Sequence, residues 1–165
     1  MSLFRDLLES PRVREWCFVA ILALCPQPLL AADSPYEGTT VVKTEHGFDA
    51  LVSRIEKAVV DNKMGLVAQA SASRGAATRG VKIAGNMVLM VFRNDYAVRM
   101  LQASVPAGIE APIRLYVTEN ADGSASLTYR PPSAVFAPYG NRKLDEMAKE
   151  LDVIFRTIVR DATGS

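Results

Sequence analysis

Between Asn86 and Arg130 the apolar residues change their spacing twice. Met87 to Phe92 is an unbroken apolar run, which suits a strand covered on both faces and predicts a central strand. Ile113, Leu115 and Val117 then alternate with Arg114, Tyr116 and Thr118. After Asp122-Gly123, Leu127 and Tyr129 alternate with Ser126, Thr128 and Arg130. Period two in both stretches predicts a hairpin with one apolar and one polar face, joined by a turn in which Asp-Gly supplies the positive backbone angle. If Val117 faces Leu127, the same register sets Tyr116 opposite Thr128 and Arg114 opposite Arg130 on the polar face.

Around this block the pattern is helical or weakly extended. Thr39 to Thr44 reads as a first strand. Gly47 opens a helix in which Phe48, Leu51, Val52, Ile55, Ala58 and Val59 share one face, with Asp49 in the first turn, where the dipole favours a carboxylate. Leu66 to Ala72 reads as a second strand of small residues that would let something pack closely against it. Glycines 75, 80 and 85 punctuate a basic connection carrying one helical turn. Asp95 is expected to cap a short helix through Val98, Leu101 and Gln102. Pro131-Pro132 stops the last strand, and Asn141 caps the clearest helix, marked by Leu144, Met147, Ala148, Leu151, Ile154, Phe155, Ile158 and Val159. The order is therefore strand, helix, four strands, helix, with a short helix between the third and fourth strands.

The phrases GNMVLMVFRND, EAPIRLYVTENADG and LTYRPP resemble the bacterial and archaeal domain of unknown function numbered 302. The resemblance spans nearly all of the chain beyond residue 38 and is most specific from Val88 to Pro132. It departs at Asp95, where many members carry proline. It implies a single α+β domain, an antiparallel sheet of about five strands with helices packed on one face, similar to the TATA-binding-protein-like class. It implies no activity.

The ends change the picture. Arg5, Arg12 and Arg14 precede an apolar stretch from Trp16 to Leu24, then Pro26, Pro28 and Leu30-Ala31-Ala32. Residues 1–32 have the layout of a signal peptide, so a periplasmic or secreted protein is expected, with 33–38 a polar leader and 39–163 the folded domain. The apolar run breaks well before the ~20 residues a bilayer span requires, and no stable membrane span is expected after cleavage. Both cysteines, Cys17 and Cys25, fall in that segment, so the mature chain is expected to lack thiols and disulfides. At roughly 130 residues it can bury about two thirds of its unfolded surface in one core.

Charge and motifs narrow the chemistry. The formal net charge is +1, which gives no support to a nucleic-acid partner. His46 is the only histidine, and one imidazole without a thiol makes a poor transition-metal site. No elbow motif surrounds a serine, and the glycines match neither a phosphate loop nor a dinucleotide fingerprint. Glu45, Glu110 and Glu119 are candidate acids and bases, and Met87, Met90, Met100 and Met147 are read as core. No metal or cofactor is expected.

Two function classes remain. One is a non-enzymatic binding or interaction module using the polar sheet face and the basic connection, with Arg114, Tyr116, Arg130, Arg93 and Arg99 as candidate anion or partner residues. Its expected partner is a small anionic ligand, a protein or a second copy of the chain. The other is an enzyme without metal or thiol, acting on a small anionic substrate through arginine, tyrosine and glutamate. The first is favoured because the usual nucleophiles lack partners. Whether Glu110 sits between Arg114 and Arg130 decides whether that pair is structural or an oxyanion seat.

Overall fold

Residue period decides which layer each strand faces. A computed structural model describes residues 36–164. Strand β1 (Thr40–Gly47) leads into helix α1 (Phe48–Asp61), β2 (Gly65–Ala70), α2 (Ala72–Ala77), β3 (Asn86–Phe92) and α3 (Asn94–Ala103). Then come β4 (Ile113–Glu119), β5 (Ser124–Tyr129), α4 (Pro132–Phe136) and α5 (Arg142–Thr163), with 3-10 turns at Val105–Glu110 and Ala137–Tyr139. The strands form one sheet in the order β1-β5-β4-β3-β2, with every neighbouring pair antiparallel. The expected signal peptide and residues 33–35 of the leader lie outside the described residues. Tyr36 to Gly38 is exposed.

One face of the sheet carries the core. Met87, Leu89, Val91, Leu115, Val117, Ala125 and Leu127 are buried there, at alternate positions along their strands. Helix α1 lays Leu51, Val52, Ile55, Ala58 and Val59 against them. Helix α5 adds Leu144, Met147, Ala148, Leu151, Phe155, Ile158, Val159 and Ala162. Its start is fixed by Asn141, whose Oδ1 accepts from the backbone N–H groups of Lys143 (3.0 Å) and Leu144 (3.3 Å). Its end is fixed by Arg54 of α1, whose Nε donates to the carbonyl of Ala162 at 2.5 Å and Nη2 to that of Asp161 at 3.2 Å.

The hairpin register matches expectation at Val117 with Leu127 and Tyr116 with Thr128. Its turn closes through Asn120 N–H to the Ser124 carbonyl at 2.8 Å, with Gly123 at φ +84°. Other expectations need correction. The run Met87 to Phe92 alternates in burial, with Val88, Met90 and Phe92 half-exposed, because among the described residues no second layer covers the other sheet face. Met90 is thus not a core residue, and β4, not β3, is central. Asp95 does not cap α3. Arg93 holds the cap position, and Asp95 sits in the first turn, bonded to the Arg93 guanidinium at 2.8 Å.

Candidate anion-binding face

The open sheet face is built by the positions that the core leaves behind. Directly paired residues of an antiparallel ladder share a face. One row across all five strands is therefore Val41, Thr128, Tyr116, Val88 and Ala70. The next is Arg114, Met90 and Ala68. The β4–β5 ladder ends at Leu115 with Tyr129, and one more step in that register brings Arg130 across from Arg114.

These side chains surround a depression of about 240 Å³ where β4 begins and β5 ends. It is lined by Arg114, Tyr116, Thr128, Arg130, Thr39 and Glu110, with Val88, Ile113, Tyr129 and Val135 beneath and beside them. Arg114 is exposed and has no hydrogen bond or ion pair to any described residue. Arg130 is half-buried and held from below. Its Nη2 donates to the Ala134 carbonyl of α4 at 3.0 Å, and its guanidinium lies 5.5 Å from the Tyr36 ring centroid. Its Nε is buried with no hydrogen-bond partner among the described residues, which leaves a charged donor unsatisfied.

Glu110 does not pair with either arginine within 4.0 Å among the described residues. Instead its Oε1 accepts from the Tyr139 hydroxyl at 3.0 Å. Burial raises the Tyr139 pKa, and the hydrogen bond to Glu110 and that carboxylate's charge raise it further. The acid is thus engaged by a neutral donor while two cations line the same depression. Two guanidinium charges about 5 Å apart repel by roughly 1 kcal/mol in water, so an oxyanion between them relieves repulsion as well as accepting hydrogen bonds.

The remaining candidates lie elsewhere. Arg93 and Arg99 flank the ring of Tyr96 at 4.4 and 5.3 Å from its centroid. Arg93 pairs with Asp95, and Arg99 forks onto Glu150 with both bonds at 2.7 Å. These cations are already neutralised, and Arg93 lines a small apolar hollow on the helical side with Met100 and Phe136. They do not join the Arg114 face. Glu119 accepts from the Gly85 N–H at 2.7 Å and Glu45 lies with Lys43 and Asp122 at the opposite end of β1, so the three candidate glutamates form no common site. Among the described residues, no group of three or more His, Cys, Asp or Glu is placed to hold a metal ion, and no helix is long and apolar enough to cross a membrane.

Sequence reasoning placed Thr128 on this face but missed Thr39, Tyr36 and the Ala134 carbonyl as parts of the site. Thr39 and Tyr36 arrive only because β1 pairs with β5, a long-range adjacency that local alternation does not encode.

A family model described as Domain of unknown function DUF302 matches residues 40–162. Among solved structures, the chain is similar to the crystal structure of an uncharacterized conserved protein DUF302 from Bacillus stearothermophilus. The TM-score is 0.68 at 17% identity, covering 77% of this chain and 99% of that one. At that identity the likeness concerns the fold alone. No curated protein matches the chain.

Proposed function

The chain belongs to the family described as Domain of unknown function DUF302, and within that family we propose an exported, non-enzymatic binding module whose open sheet face seats a small oxyanion. The observation that carries the reading is that Arg114 and Arg130 share one depression with no carboxylate paired to either among the described residues. Tyr116, Thr128 and Thr39 add hydroxyls around it. A planar guanidinium fork suits a carboxylate or phosphate. Nothing in the site needs a nucleophile: the groups present bind and orient.

The test is thermal stability of wild type and Arg114→Ala/Arg130→Ala across acetate, phosphate, sulfate and chloride at fixed ionic strength. Wild type is expected to be stabilised selectively by oxyanions, and the double variant to respond equally to all four. Flat responses in both folded proteins end the reading.

A further inference from the structure

The anion seat is one end of a longer surface. Tyr116 and Val88 line the arginine depression and also a second, open hollow of about 630 Å³ lined by Ala70, Ser71, Ala72 and Asn86. The two hollows therefore adjoin at Tyr116 and Val88. The second one is walled by Ala70 on the edge strand β2 and by Ser71 and Ala72 where α2 begins; beside it Ala68 shares the open face with Met90, and both Ala68 and Ala70 are exposed. Alanine at these positions leaves depth beside the Tyr116 ring that a larger side chain would fill. Strands lie about 4.8 Å apart, so the track from Arg114 past Met90 to Ala68 runs about 10 Å across the sheet. It is cationic at one end and apolar for the rest, with half-exposed Val88 and Met90 along it.

A small inorganic anion would use only the cationic end and leave this apolar strip in water. Resting on the oxyanion reading above, we infer that the ligand is an amphipathic carboxylate: its head lies between Arg114 and Arg130, and its unbranched apolar tail crosses Tyr116 and Val88 toward Ala70. The strip adjoins the head group on the β3 side, whereas on the β5 side the hydroxyls of Thr128 and Thr39 come first and Val41 lies beyond them. A single linear tail fits that asymmetry, whereas a dicarboxylate would set its second charge over Val88 and the alanines.

The experiment is a titration of the purified protein, followed by NMR shifts, with straight-chain carboxylates from acetate to octanoate. Affinity is expected to rise about fourfold per methylene while the tail remains on the strip, then level off. Ala70→Asn, on the open face and outside the arginine depression, is expected to flatten that rise while leaving acetate affinity unchanged. Arg114→Ala/Arg130→Ala is expected to weaken every member of the series. If acetate binds through the arginines but octanoate binds no tighter, the tail inference fails and the oxyanion reading stands. If no carboxylate binds, both fail together. Octanoate binding that survives loss of both arginines overturns the inference, as does binding of anionic phosphatidylglycerol vesicles without binding of free octanoate. Sedimentation showing a dimer that Val88→Thr dissociates assigns the strip to a second copy of the chain, and likewise overturns it.

Discussion

Replacing Phe155 by alanine tests whether α5 is the cover of the sheet. Phe155 is 1% exposed and belongs to the central apolar cluster. A buried phenylalanine removes at least roughly 150 Å² from water, worth about 4 kcal/mol at about 25 cal/mol per Å². The alanine methyl retains a minor part of this, and the cavity left in a close-packed core adds a further cost. The expected loss is about 3–5 kcal/mol, a large share of the 5–15 kcal/mol typical of a whole domain, and Tm should fall by about 10–20 °C. Urea unfolding followed by far-UV circular dichroism measures it, with an unchanged denaturant slope showing that the same surface is exposed on unfolding. Phe155→Leu, which keeps most of the volume, should cost about 1.5 kcal/mol or less. A loss below about 1 kcal/mol for the alanine variant, at constant slope, would refute the reasoning and make α5 a peripheral element.

The two remaining predictions concern acid stability and the N-terminus. The hydrogen bonds from Arg99 hold the Glu150 carboxyl below its ordinary range. That stabilisation is therefore complete above the unfolded carboxylate pKa of about 4.3 and is lost as pH falls through the lower folded value. Glu150→Gln should have a shallower acid limb in a plot of Tm against pH than wild type, and 1 M salt should narrow the difference; superimposable acid limbs reject the pairing. For export, mass spectrometry of protein from its native host should find a new N-terminus near Ala32 or Asp33, and a soluble cytoplasmic form retaining Met1 would overturn it.

Local pattern made much of this molecule legible. Periods of two and 3.6 located the hairpin, its register and the two long helices, because each buries one continuous face and the spacing of Leu115, Val117 and Leu127 or of Leu144 to Val159 records it. Legibility failed where a residue's partner is distant in sequence. Six consecutive apolar residues in β3 imply two covered faces only if something covers the second. Among the described residues nothing does, and Met90 and Phe92 are half-exposed. The arginines divide in the same way. Arg114 and Arg130 could be assigned to one face from hairpin alternation alone. Arg93 and Arg99 share only their charge with them: Asp95, two residues on, takes Arg93, and Glu150 reaches Arg99 once α3 and α5 are set side by side. Glu110 stood close enough in sequence to pair with Arg114, but the chain turns so that Tyr139 takes it instead.

The pairing of β1 with β5 has a consequence for the order in which the chain assembles. Thr40 meets Tyr129 across the sheet, so the first strand closes a loop of about ninety residues, at an entropic cost of roughly 4 kcal/mol before any contact is gained. Its ladder partner among the described residues, β5, is made last among their strands, and the helix that completes the core follows later still. A nascent chain stopped before Ser124 has nothing for β1 to pair with. Contacts this distant favour slow, late closure over stepwise growth. Emerging N-terminus first from any narrow passage, the polypeptide would remain threadable until its final forty or so residues were free.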